Sequence, residues 1–169
     1  MTERPESLTW ALRSLAALVG LGIVATVLIV VLRDDLVRTW AEGRRDTRRI
    51  LALEGLQAVK DGPVHPPSFV PVAIVLCVVM AALIWVLSAF LRGGFGWARV
   101  VLTICLFFLA VGTIGGLRTG APAVFVVLSI ASFPLEAAAV FFMWHKDTSA
   151  FLRLTADVPD ERSEDLSAL

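Results

Sequence analysis

One side chain in this sequence invites a chemical reading: Glu136, set inside the long apolar run Ala121–Trp144. It stands 8 residues before Trp144, about 12 Å from that end if the run is helical. A charged carboxylate at such depth in a bilayer costs about 2.5–3.5 kcal/mol, so it must face other helices or a water pocket. Pro134, two positions earlier, cannot donate to the carbonyl four residues back, which loosens the helix beside the acid. Ser132 falls one turn before Glu136 on the same face, and Ser129 a further turn along. If the spans alternate in direction, Thr103 comes within about a turn of that depth. Glu136, Ser132 and Thr103 therefore form a candidate intramembrane polar site for a proton or a cation. The structural alternative is a glutamic acid hydrogen-bonded to Ser132 or a backbone carbonyl, fixing helix packing or a subunit contact. A proton pathway normally needs several titratable groups, and the other apolar runs contain no Asp, Glu, Lys, Arg or His.

Other chemistries have no residues to carry them. The sequence holds no HExxH, no GxSxG, no paired intramembrane carboxylates and no cluster of His and Cys. The expectation is a non-enzyme with no catalytic residue, no metal site and no cofactor. Cys77 and Cys105 sit at different depths of their runs and are expected to be small packing residues, not a disulfide. His65, in a proline-rich loop, is expected to be polar surface.

The elements that must position Glu136 follow from hydropathy. The chain has 169 residues, 57% of them hydrophobic, and a mean hydropathy of +0.81. Charge-free runs cover 14–32, 69–91, 100–117 and 121–144. Each is long enough to cross a hydrocarbon core of roughly 30 Å, and continuity over such lengths means helix, because lipid leaves no other partner for the backbone. The fold class expected is an all-α membrane protein: four transmembrane helices in an antiparallel bundle, with one partly helical extramembrane loop between the first two. Residues 1–13 form a polar lead, 33–68 the loop, and 145–169 a polar tail that begins helically and ends acidic and disordered. The first span is expected to stay as an anchor. It exceeds the apolar core of a signal peptide, and acids flank it on both sides.

Within the loop, Leu36, Val37 and Trp40 suit one face of a short helix, Gly43 offers a break, and Asp46 suits the start of a second helix ending near Lys60. The arginines at 44, 45, 48 and 49 suit lipid phosphates, though acids nearly balance them along the loop. Gly62–Pro71 reads as an extended strap back to the second span. RGGFGWAR (92–99) and Arg118-Thr-Gly120 read as tight turns, which makes spans two and three, and three and four, hairpins.

Small residues recur at four-residue spacing: Ala16 and Gly20, then Gly112 and Gly116. Such faces let helices approach closely, which drives association in lipid. Trp10, Arg13, Trp97, Arg99 and Trp144 suit the membrane interface, with rings at headgroup level and guanidinium groups reaching water. Basic residues divide almost evenly between the two sides. The termini are placed in the cytoplasm because the 92–99 turn carries arginines without acids. Net charge is zero, so no global field marks a nucleic-acid partner.

At Gly96-Trp97-Ala98-Arg99-Val100-Val101-Leu102-Thr103 the chain resembles small uncharacterised four-helix integral membrane proteins of actinobacteria. In those a glycine-rich turn with W-A-R opens the third span, and a tryptophan, a serine and an aromatic follow the fourth, as Trp144, Ser149 and Phe151 do here. The resemblance implies a multi-pass plasma-membrane protein with cytoplasmic termini and transfers no functional residue. The expected role is an accessory or assembly protein of the bacterial cell envelope, packing against itself or a larger membrane complex, with lipids as its other partners. The alternative is a small oligomeric transporter or channel using Glu136.

Overall fold

The computed structural model describes residues 5–61, 69–118 and 122–156. Their regular structure is seven helices with no strand among the described residues: α1 Glu6–Val31, α2 Arg33–Glu42, α3 Arg45–Asp61, α4 Phe69–Arg92, α5 Gly96–Leu117, α6 Ala123–Met143 and α7 Lys146–Ala156. Four of them, α1, α4, α5 and α6, are long and apolar enough to cross a membrane. Most of the strap with His65, the turn after Arg118 and the acidic chain end lie outside the described residues.

Two of these helices begin earlier than the charge-free runs. The first starts at Glu6, directly after Pro5, whose φ of −62° and ψ of 142° hold the chain extended. An acid in the first turn suits the positive end of the helix dipole. Much of the polar lead is therefore helical, with Ser7 and Leu8 buried. The third span likewise starts at Gly96, four residues before its charge-free run. A charge-free run measures the hydrocarbon-crossing part of a helix, whereas interfacial Trp and Arg are themselves compatible with helix. The connection between α4 and α5 shrinks to Gly93–Phe95, where Gly94 has φ +86°. A Cβ at Gly94 would collide with the Thr155 side chain of α7, so glycine meets both a backbone and a packing need there. The fourth span continues through Pro134 as one helix.

α1 packs against α6 and α4, and α5 packs against α4 and α6; α7 touches α1, α5 and α6. The main core lies at one end of this group. It joins the first half of α1 (Leu8, Ala11, Leu15, Leu18), the end of α4 (Leu87, Leu91), the start of α5 (Ala98, Leu102, Leu106), the end of α6 (Ala139, Met143) and Leu152 of α7. A buried pair of hydroxyls, Ser7 Oγ and Thr148 Oγ1 at 2.8 Å, fastens α7 to α1, and Thr148 also bonds the Phe142 carbonyl at 3.0 Å. The opposite end is open. Ile23, Val27 and Val31 of α1, Val72 and Val75 of α4, Val111 of α5 and Val127 of α6 are all exposed.

Helices α2 and α3 form a second, smaller cluster around Val37, Ala41 and Val59, with Trp40, Ile50, Leu51 and Leu56 against it. The break between them follows Gly43, and the Thr47 hydroxyl donates across it to the Ala41 carbonyl at 2.9 Å. The second helix begins at Arg45 and turns sharply at Gly55, whose φ is 83°. The Lys60 ammonium donates to Asp34 at 2.7 Å and, with Arg33 adding to the effect, holds that carboxyl below its usual range.

Candidate functional site

Glu136 sits where the packed end gives way to the open one. Its side chain is 6% exposed, and its Oε1 has no hydrogen-bond partner among the described residues. It lines a cavity of about 210 Å³ walled by α1 (Leu18, Leu21, Gly22, Ala25), α5 (Leu109, Thr113) and α6 (Phe125, Leu128, Ser129, Ser132). Along α6 the lining extends from Glu136 only towards the start of that helix. On the other side of Glu136, the packed layer of Leu15, Leu102, Ala139 and Met143 fills the interior. The cavity thus lies on the open-end side of a carboxyl that stands at its margin.

The hydroxyls beside it are already engaged as donors. Ser132 donates to the Ser129 carbonyl at 2.9 Å, and Thr113 donates to the Leu109 carbonyl at 2.9 Å. Both bonds run back within their own helix, a common arrangement for membrane Ser and Thr. The oxygens keep lone pairs that can accept. No Lys, Arg or His lines the cavity.

The structure brings Glu136 and Ser132 together but leaves Thr103 elsewhere. Thr103 accepts from Trp144 Nε1 at 3.1 Å and donates to the Arg99 carbonyl at 2.8 Å. The Arg99 guanidinium lies 4.1 Å over the Trp144 ring and donates to Ser149 Oγ at 2.9 Å. The expected depth set Thr103 within about a turn of the acid; it stands instead nearer the packed end, beside Trp144 at the junction of α5, α6 and α7. Thr113 and Ser129 take the place beside Ser132. Thr113 is legible only in hindsight: it stands ten residues after Thr103, about 15 Å further along the same helix, and the offset of α5 along α6 decides between them.

The tryptophans Trp10, Trp97 and Trp144, each half-exposed, come from the start of α1, the start of α5 and the end of α6, all at the packed end. Trp10 stacks on Phe142 at 6.3 Å and carries Arg13 at 5.1 Å, while Trp97 meets Phe90 at 5.1 Å. Tryptophan is enriched at the interfaces of membrane proteins. The glycines at 20, 112 and 116 are expected on close-packing faces. A Cβ added at any of them meets no atom within 4 Å among the described residues.

Two further hollows flank α1 and α4. One, of about 450 Å³, runs past Leu12, Ala16 and Trp85 to Ser88 and Arg92. The other, of about 230 Å³, lies among Gly22, Thr26, Cys77 and Met80. Free Cys77 and Cys105 are half-buried, on α4 and α5. No group of three or more His, Cys, Asp or Glu able to hold a metal occurs among the described residues. Compared with family models, with curated proteins and with solved structures, the chain matches none.

Proposed function

We propose that this chain is a non-enzymatic accessory or assembly protein of a bacterial plasma membrane, an antiparallel four-helix bundle that packs against itself or a larger membrane complex. The observation that carries this reading is the outward turn of its close-packing residues. No more than 17% of the most apolar window of any span is buried within the chain, which leaves most of each helix to lipid or a partner. On those outer surfaces Gly20 and Gly112 meet open space. Exposed apolar side chains alone are ordinary in lipid. Glycine on an outer face differs, because it lets another backbone approach where a lipid tail fits less closely. In this reading the Trp10, Trp97 and Trp144 belt lies at the cytoplasmic interface with α7 beneath it, and the α2–α3 pair stands on the far side as an extramembrane cap. Kinship with the actinobacterial four-helix proteins belongs to the same proposal.

The second reading, a small transporter or channel using Glu136, has the cavity beside that acid in its favour. The packed layer beyond Glu136 weighs against a continuous path. The test is purification in lipid nanodiscs with mass measurement of what accompanies the chain, for wild type and Gly112→Val. A second copy or a stoichiometric companion, present in wild type and lost in the variant, supports assembly. A solitary chain in both, with proton or cation flux in liposomes that Glu136→Gln abolishes, supports transport instead.

A further inference from the structure

The cavity beside Glu136 has a chemistry of its own, independent of whether the outer glycines bind a partner. Acceptors predominate among its polar atoms: the unpartnered Oε1 of a side chain that is 6% exposed, and the oxygens of Ser132 and Thr113, whose hydrogens are engaged with backbone carbonyls, with the Ser129 hydroxyl beside them able to donate or accept. Its remaining walls are Leu18, Leu21, Leu109, Leu128 and Phe125 with the small residues Gly22 and Ala25. A buried acceptor without a donor carries a penalty of about 1–3 kcal/mol, larger if it is charged, and a ligand that donates relieves it. An anionic ligand finds no cation to meet it there. A neutral hydrocarbon fits the walls but leaves Oε1 unpaired. A cationic donor with an apolar body satisfies both.

Size narrows the class. At about 210 Å³ the cavity is smaller than most drug-sized sites. It exceeds the roughly 150 Å³ cavity known to hold one benzene ring in an apolar protein core. The space suits one ring, or a short branched chain, bearing a single small head group. We propose that this cavity binds a small hydrophobic primary amine as its ammonium ion. The N–H groups donate to Glu136 and to the Ser132 or Thr113 oxygens, and the carbon body lies against the leucines of the cavity wall nearest the acid. A charge-assisted bond between ammonium and carboxylate is roughly twice as strong as a neutral one.

The test uses the full chain in nanodiscs and tritiated benzylamine, read by scintillation proximity. Benzylamine, benzyl alcohol and benzoate share a ring and differ in head group. The expected result is saturable binding displaced by unlabelled benzylamine, with benzyl alcohol and benzoate at least tenfold weaker as competitors. Glu136→Gln weakens binding at least tenfold by removing the charge. Gly22→Leu does so by filling the cavity while the carboxyl stays in place, and it decides the matter if the glutamine variant fails to fold. Uptake no greater than in empty nanodiscs, displacement by benzyl alcohol as strong as by the amine, or unchanged affinity in a folded Gly22→Leu overturns the proposal.

Discussion

The two ends of this molecule are made of similar residues and behave differently. At the end capped by α7, Leu8, Leu91, Leu102 and Met143 are fully or almost fully buried, and hydroxyl and indole hydrogen bonds tie four helices to one another. At the other end Val31, Val72 and Val127 are more than 60% exposed. Hydropathy does not separate the two ends, since valine and leucine serve both. What separates them is a fifth element. α7 brings Thr148 and Leu152 under the bundle and gives the core a floor. Among the described residues no such element packs into the open end, and the cavity beside Glu136 lies on that side. The packed end accounts for the fold, and the open end and outer faces offer the surfaces for binding.

The sharpest way to break that division is to damage the packed end. Leu102→Ala removes a side chain with no exposure. It is expected to cost about 2–5 kcal/mol, seen as a lowered unfolding midpoint in mild detergent. Val127→Ala, at an exposed position, is expected to change the midpoint little. Equal losses at both sites would erase the contrast.

A smaller effect is expected at the turn that α7 covers. Gly94→Ala places a Cβ at positive φ and against Thr155. The backbone alone costs about 1–2 kcal/mol. The expected signature is faster proteolysis of the chain after His145, as α7 lifts from the turn. A cleavage rate equal to wild type would show that α7 does not rest on Gly94.

The smallest effect concerns the α2–α3 pair. Asp34 has a carboxyl held below its usual range, chiefly by the hydrogen bond from Lys60. A depressed acid contributes stability that is fully present above the unfolded-state pKa and is lost as pH falls through the folded one. The contact is exposed and salt-screened, so a small loosening of α2 against α3 is expected only in acid, below the ordinary aspartate range. Amide exchange across 33–61, compared between neutral and acid pH, measures it. Lys60→Gln should remove the pH dependence.

How much of this was legible depends on which physical signal each feature leaves. The four spans leave a long one, because lipid forbids any break in backbone pairing, and all four helices stand where charge-free runs place them. Their ends leave a weak one. Glu6 to Arg13 and Gly96 to Arg99 are polar enough to resemble turns yet lie within helices. Glu136 and Ser132 were readable as partners because they are four apart on one helix. Thr103 was not, because charge-free runs do not fix the offset of one helix along another, and Thr103 lies beside Trp144, nearer the packed end. Gly20, Gly112 and Gly116 announced close packing, but spacing alone does not tell an inner face from an outer one; only the surrounding helices do.

The outward glycine faces are the central claim, and the double variant Gly20→Ala/Gly112→Ala tests it most directly. Mass and unfolding midpoint are measured together on the same nanodisc preparations. Each substitution adds one methyl where the chain has room, and alanine favours helix over glycine by about 0.5–1 kcal/mol. The account predicts loss of the accompanying mass with an unchanged or raised midpoint. Retention of that mass, or its loss together with a lowered midpoint, would contradict it, because the glycines would then be idle or would pack inside the chain.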